Sequence, residues 1–214
     1  MIPEAWLTDG KLVPRTKGVD GAGFADGFMT SEAAVVNGDI NARALPGDGC
    51  FKGIAGHPEI RLNFTNADGK GWQTRSVAGK GGFSFPVPGR QYQRMMVFLT
   101  SAAGSSHLHF QLVYGDGTLE QRAVVLPDYY NAAPAGDTNI FSLATDLAKW
   151  DAAGRMAERD HHYIHGVELH PDARRNLVSI QVRKTVPGYL VFWGATGVTT
   201  NQGMAAIKEP SRSP

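Results

Sequence analysis

Residues 107–126 read HLHFQLVYGDGTLEQRAVVL, and this stretch is the strongest local signal in the chain. Its first part alternates apolar Leu108, Phe110 and Leu112 with polar residues, which is the period of a half-buried β-strand. The tripeptide GDG at 115–117 separates it from a second apolar run, because glycine adopts the positive φ angles that tight turns need. The stretch therefore predicts a β-hairpin.

Further strand-like runs follow at short intervals along the chain, at residues 60–65, 82–87, 94–100, 161–169, 177–183 and 189–196. Such spacing, with little helix between the runs, predicts an antiparallel sandwich or barrel. Residues 137–159 are ambiguous. Ile140, Leu143 and Leu147 have helical spacing, but a strand over 140–144 that runs into a loop fits equally well.

The composition indicates a turn-rich globular chain of one domain. The 214 residues include 26 glycines and 12 prolines, and 21 Lys and Arg balance 20 Asp and Glu. A net charge of +1 excludes a protein whose main function is electrostatic binding of nucleic-acid phosphates. We expect residues 1–56 to be a loop-rich N-terminal portion of the same domain, 57–200 to be the sandwich core, and 201–214 to be a disordered tail.

From the sequence we expect neither an intact signal peptide nor a membrane span. Cys50 is the single cysteine, so no internal disulfide can form. The first residues lack the pattern of an intact signal peptide, and the longest apolar runs fall far short of a membrane span. We expect a soluble protein that does not bind membranes, either cytoplasmic or secreted after removal of a signal.

Two groups of strand-like segments resemble a known family. They are FSFPVP at 83–88, MVFLTSAAG at 96–104 and LVYGDGT at 112–118, followed by VELHPD at 167–172, LVSI at 177–180 and LVFWGA at 190–195. Together these segments resemble the jelly-roll, galactose-binding-like modules attached to bacterial glycoside hydrolases, over about residues 57–197. The resemblance implies an all-β antiparallel β-sandwich (jelly roll), with at most one short helix around 138–153. It suggests glycan binding by analogy only.

Histidines are the first candidates for chemistry. His107 and His109 share one face of a predicted strand, and His161 and His165 lie on a second predicted strand. If the two strands faced each other, these four imidazoles could hold a divalent transition metal. The alternative is that His107 and His109 belong to the polar face of a half-exposed strand. Acidic turns could instead hold a structural calcium ion.

A second polar cluster contains Asp160 and His162, which are the residue types of general acid and base catalysis. Side-chain alternation predicts that Asp160 shares a face with His162 and not with His161. Under an enzyme hypothesis His107, His109, Asp160 and His162 are the candidate catalytic residues. A polar junction between a loop and a strand is the alternative explanation.

Aromatic residues in predicted loops are candidates for sugar contacts, because sugars stack their C–H faces on exposed rings. These residues are Trp72, Tyr129, Tyr130 and Trp150. Gln111, on the same strand face as His107 and His109, is of the residue type that binds sugar hydroxyls.

The leading hypothesis is therefore a noncatalytic carbohydrate-binding β-sandwich. The alternative is a lyase, hydrolase or isomerase that uses the histidines, with or without a divalent metal. A third possibility is an accessory domain whose sheet face packs on a partner. The sequence leaves the oligomeric state open.

Overall fold

The structure, a computed structural model, describes residues 27–28, 31, 39, 41–46, 49–52, 56–57, 59–62, 75–150, 156–199 and 205–206. Nearly all regular structure in these ranges is β-strand, and the paired strands run antiparallel. The strands are β1 (Gly27–Phe28), β2 (Cys50–Phe51), β3 (Ile60–Arg61), β4 (Arg75–Ala78), β5 (Gly81–Arg90), β6 (Tyr92–Ala102), β7 (Ser106–Tyr114), β8 (Leu119–Leu126), β9 (Ile140–Trp150), β10 (Met156–Leu169), β11 (Leu177–Lys184), β12 (Tyr189–Thr199) and β13 (Ala205–Ala206).

The strands form two main sheets and one short hairpin. The larger sheet has the order β1-β9-β10-β6-β12-β13, with β4 also paired to β12. The smaller sheet has the order β5-β11-β7-β8, and β2 pairs with β3. The run β4-β12-β6-β10, set against β5-β11-β7-β8, is the strand order of a jelly roll, and β9 extends it beside β10. The all-β sandwich predicted from the sequence is confirmed.

The larger sheet is buried on both faces. On β6, Met95 and Val97 enter the core shared with the smaller sheet, whereas Met96 and Phe98 enter a second core on the opposite face. This alternation explains why β6 is a continuous apolar run in sequence. The second core also contains residues from the N-terminal part of the chain, namely Phe28, Leu45, Phe51, Ile60 and Leu62.

The smaller sheet has one buried face. Leu108, Phe110 and Leu112 of β7 and Ile180 and Val182 of β11 pack in the core between the sheets. The residues that alternate with them, such as His109 and Arg183, are exposed. One face of the smaller sheet is therefore open along β7, β8 and β11, whereas Ser84 of β5, opposite Gln181, is buried.

The ambiguous segment 137–159 contains a strand and not a helix between residues 140 and 150. β9 pairs with β10 from Ile140 opposite Val167 to Trp150 opposite Met156. Leu143 and Leu147 pack in the second core. The helical spacing of the apolar residues therefore arises in a strand that is bulged, since the β9–β10 register shifts repeatedly.

A buried lysine stabilises the turn that precedes β12. The ammonium group of Lys184, 1% exposed, donates hydrogen bonds to the carbonyl oxygens of Gly79, Val186 and Gly188 at 2.7, 2.7 and 2.8 Å. These three acceptors replace the water that the charge loses on burial. Lys184 thus links the β4–β5 connection to the β11–β12 connection.

Two expectations concern the ends of the chain. β13 pairs with β12 within the predicted tail, whereas residues 201–204 and 207–214 lie outside the described residues. Most of the predicted N-terminal portion lies outside them as well. Among the described residues, no helix has the length and apolarity that a membrane crossing requires.

Candidate functional site

The open face of the smaller sheet carries three of the predicted site residues. His107 and His109 are exposed and Gln111 is half-buried, as expected from alternation along β7. We call this surface, formed by the outward residues of β5, β7, β8 and β11, the open face.

Cross-strand register aligns glutamines in one row across the open face. Gln111 of β7 lies opposite Gln181 of β11 on one side and opposite Gln121 of β8 on the other. The next row contains Arg183, His109 and Ala123 in the same strand order. Two adjacent rows thus present amide, imidazole and guanidinium groups on one surface.

These polar side chains are available to a ligand. Within the described residues, the side chains of Gln111, Gln121, Gln181, His109 and Arg183 make no hydrogen bond or ion pair with the protein. The outward positions of the four strands also include no carboxylate, because Glu120 lies on the opposite side, where the hydroxyl of the buried Tyr114 donates to it at 2.5 Å. The open face therefore has neutral and cationic donors.

A shallow cavity of about 430 Å³ lies at one end of this surface. Its lining includes Gly82, Gln181 and Arg183. A Cβ atom on Gly82 would lie 2.4 Å from the carbonyl oxygen of Val182, so a larger residue does not fit there without a backbone shift. The glycine keeps the surface beside Gln181 and Arg183 open.

Exposed apolar side chains flank the polar rows. Val125 and Leu119 are each 55% exposed, and they lie opposite His107 and Val113. Such groups can contact the C–H surface of a ligand whose hydroxyls face the amides.

The predicted four-histidine metal site does not form. His107 and His109 lie on the open face of the smaller sheet, whereas His161 and His165 belong to β10 of the larger sheet. His165 is fully buried and its Nε2 atom lies 2.9 Å from the carbonyl oxygen of Asn131, while His161 is exposed. Spacing within each strand was compatible with a metal, but the fold assigns the two strands to different sheets.

No other metal site replaces it in the part of the chain that the structure describes. There, no three His, Cys, Asp or Glu side chains converge in a way that could hold a metal ion. The sequence hypothesis of a histidine-bound transition metal thus has no ligand set among the described residues, and no cluster of carboxylates there supports the structural calcium ion.

The prediction that Asp160 shares a strand face with His162 and not with His161 is also wrong. Asp160 Oδ1 lies 3.1 Å from Nε2 of its neighbour His161, and both side chains are exposed, whereas His162 is buried. The reason is a break in side-chain alternation. β10 is bulged between Glu158 and Ile164, and His161 has a φ of 79°.

His162 instead belongs to a polar cluster at the β9–β10 end of the larger sheet, together with Tyr129, Tyr130, Lys149 and Glu158. The Tyr130 hydroxyl donates to Glu158 at 3.0 Å, and the Lys149 ammonium lies 3.0 Å from the Tyr129 hydroxyl and 3.4 Å from Glu158. The ring of His162 stacks on Tyr129 with centroids 5.1 Å apart. We call this group the β10 cluster.

Protonation in the β10 cluster follows from its contacts. His162 Nδ1 donates to the Leu147 carbonyl at 2.7 Å, and burial lowers the pKa of His162, so the ring is neutral at pH 7. For Glu158, burial raises the pKa, but the Tyr130 hydroxyl, His162 and Lys149 outweigh it and hold the pKa below its ordinary value. A carboxylate and an ammonium therefore balance each other beside a neutral imidazole.

Two of the predicted sugar contacts, Tyr129 and Tyr130, belong to the β10 cluster and differ in exposure. Tyr129 is only 5% exposed, and its hydroxyl contacts Lys149, so its ring cannot stack on a sugar at the surface. Tyr130 is 45% exposed and remains a candidate. Trp72 lies outside the described residues, as does the side chain of Trp150, whose backbone ends β9.

Sequence reasoning missed Gln121, Gln181 and Arg183 as site residues. The signal for Gln121 was present, because a hairpin closed at residues 115–117 puts Gln121 opposite Gln111. Nothing local indicated that β11 would be the other neighbour of β7, since that pairing joins segments about 70 residues apart in the chain.

No protein-family model matches this chain, and no curated protein is significantly similar to it in sequence.

Proposed function

We propose that this protein is a noncatalytic carbohydrate-binding β-sandwich that binds a saccharide on the open face. The observation that carries the proposal is the row of Gln181, Gln111 and Gln121 beside Arg183 and His109. Within the described residues these side chains have no protein partner, so their hydrogen-bonding groups can serve a ligand.

The chemistry of this row suits a polyol. Each glutamine amide offers a carbonyl acceptor and two N–H donors, and a sugar hydroxyl is both donor and acceptor. Adjacent hydroxyls can therefore be bound by neighbouring amides along the row. Val125 and Leu119 add exposed apolar surface for the C–H groups of the sugar ring.

The charge of the open face narrows the class of saccharide. Arg183 carries a positive charge, and the outward positions of the described strands carry no carboxylate to repel an anion. We expect a neutral saccharide, or a mildly acidic one whose carboxylate pairs with Arg183. The resemblance of residues 57–197 to jelly-roll carbohydrate-binding modules supports the same function by analogy.

A histidine-dependent enzyme is less well supported. His107 and His109 face solvent without a carboxylate neighbour on the described part of the open face, and His165 is buried against the Asn131 carbonyl. A general base needs a positioned partner and access to substrate. Of the histidines singled out as metal or catalytic candidates, the open-face pair lacks the partner and His165 lacks the access, whereas exposed His161 contacts the Asp160 carboxylate and lies away from the open face.

Calorimetric titration against a panel of neutral and uronic-acid oligosaccharides tests the proposal. We expect binding by the wild-type protein, weakened about tenfold or more in the double variant Gln111→Ala/His109→Ala through the loss of hydrogen bonds. Gln93→Ala is the matched control, because Gln93 is exposed on β6 of the larger sheet. Failure of the folded wild-type protein to bind any saccharide would refute the proposal, as would full binding by the double variant.

A further inference from the structure

β8 is an edge strand, and its outer edge pairs with no described strand. It ends the order β5-β11-β7-β8. Such an edge presents unpaired backbone groups to any strand that can align with it. Leu119 and Val125, two of the large apolar residues that are most exposed, both lie on this strand.

The hairpin register determines which residues of β8 direct their backbone N–H and C=O groups to the outer edge of the strand, away from β7. Tyr114 N–H donates to the Thr118 carbonyl at 3.0 Å, so residues 114 and 118 form a hydrogen-bonded pair. Because hydrogen-bonded and non-hydrogen-bonded pairs alternate, Leu119, Gln121 and Ala123 direct their N–H and C=O groups away from β7. The guanidinium group of Arg122 donates to the Gln121 carbonyl at 2.8 Å, which agrees with this orientation.

The side chains around Gln121 are self-complementary. In an antiparallel pair of two β8 strands centred on Gln121, Glu120 of one copy lies opposite Arg122 of the other, and the reverse holds across the two-fold axis. Leu119 lies opposite Ala123 in the same register. Opposite charges at directly facing positions stabilise an antiparallel pair, and like charges destabilise it.

We propose that two copies of this chain associate through β8, antiparallel and centred on Gln121, to form one continuous sheet. Leu119, Gln121 and Ala123 then exchange backbone hydrogen bonds with Ala123, Gln121 and Leu119 of the second copy. The occupant is a second copy rather than an unrelated strand, because the Glu120 and Arg122 pattern complements itself under two-fold symmetry.

A cavity beside the second half of β8 fits this register. It has a volume of about 440 Å³ and is lined by residues that include Ala123, Val125, Pro134 and Ile140. In the proposed pair the 115–118 turn of the second copy lies next to Val124 and Val125. The cavity gives that turn space at the edge.

The proposed dimerisation does not depend on saccharide binding. In the dimer, the open faces of the two copies form one larger surface. The row of Gln181, Gln111 and Gln121 continues into the same row of the second copy. Two copies on one sheet would engage a polymeric saccharide at two sites, which raises the overall avidity.

Sedimentation equilibrium of the full chain without saccharide, from about 1 µM to about 1 mM, tests the proposal over the range of weak interfaces. We expect a monomer–dimer equilibrium. Ala123→Pro removes an edge N–H that β7 does not use, and it should weaken dimerisation at least tenfold. Ala123→Ser keeps that N–H and should dimerise as the wild type does.

Charge exchange tests the register. Arg122→Glu places like charges opposite each other and should also weaken the dimer, whereas the double variant Glu120→Arg/Arg122→Glu should restore it. Since Glu120 accepts a hydrogen bond from Tyr114, circular dichroism must first show that the double variant is folded. A wild type that stays monomeric throughout, as it would if another segment covered the edge, overturns the proposal. A dimer that Ala123→Pro leaves unchanged also overturns it.

Discussion

Gln111 of β7 lies directly opposite Gln121 of β8 on the open face of the smaller sheet. The two strands pair with each other, and β7, whose inward neighbours Phe110 and Leu112 are buried in the core, also pairs with β11, so the backbone at both positions is held by the sheet and not by a loop. A ligand that binds them therefore loses little free energy to ordering the protein backbone. This rigidity distinguishes the open face from the loop aromatics that the sequence first suggested.

The two adjacent tyrosines of the β10 cluster should contribute unequally to stability. Tyr129→Phe removes an acceptor from the buried Lys149 ammonium, and we expect the free energy of unfolding to fall by about 1–3 kcal/mol. Tyr130→Phe removes a hydroxyl of an exposed tyrosine at the half-buried Glu158 carboxylate, and the loss should be below about 1 kcal/mol. Urea denaturation measures both, and equal losses would contradict the burial difference.

Lys184 should be essential for stability. Lys184→Met leaves the carbonyl oxygens of Gly79, Val186 and Gly188 without this donor, and we expect a loss of about 3 kcal/mol or more. Lys80→Met is the control, since Lys80 is exposed on the neighbouring turn. Thermal and denaturant unfolding of the two variants measure the difference. Comparable stability of both variants would show that the hydrogen bonds from Lys184 to the three carbonyl oxygens do not stabilise the folded protein.

His165 should make stability fall in weak acid. Burial lowers its pKa from 6.5 to about 4, against the opposing effect of the Asn131 carbonyl. Between pH 6.5 and 4 the unfolded chain therefore binds a proton at this residue that the folded chain does not. Stability should decrease by about 3 kcal/mol as the pH falls through this range.

The variant His165→Gln isolates this contribution. Its stability should depend less steeply on pH between 6.5 and 4, although the pKa values of His57 and His162 are also lowered by burial and keep some dependence. Denaturant unfolding of the wild type and the variant at several pH values gives these slopes, and parallel curves for the two proteins would refute the assignment.

The fold was predictable from the sequence wherever alternation and turn chemistry agreed. The run from His107 to Tyr114 alternates in sequence and in burial, and the glycines at 115 and 117 close the hairpin as expected. The predicted strand over 140–144 is the first part of β9. The apolar residues of this segment have helical spacing, which left a helix equally possible from the sequence. The spacing arises because bulges shift the side chains of β9 and β10 relative to each other.

The candidate site was predictable only in part. Gln111, His107 and His109 were correctly assigned to one strand face, because that depends on local alternation alone. The four-histidine metal site failed because sheet membership is decided by packing between distant segments, which no local pattern records. The pairing of Asp160 with His161 depends on a positive φ at a non-glycine residue, for which the sequence carries no signal.

Chemical-shift mapping of the saccharide complex tests the central claim most directly. The saccharide that binds most tightly in the panel is titrated into labelled protein, and the backbone and side-chain amide signals are followed. We predict that the side-chain amides of Gln111, Gln121 and Gln181 shift most. Shifts confined to Tyr130 and the β10 cluster, with the three glutamine amides unmoved, would contradict binding at the open face.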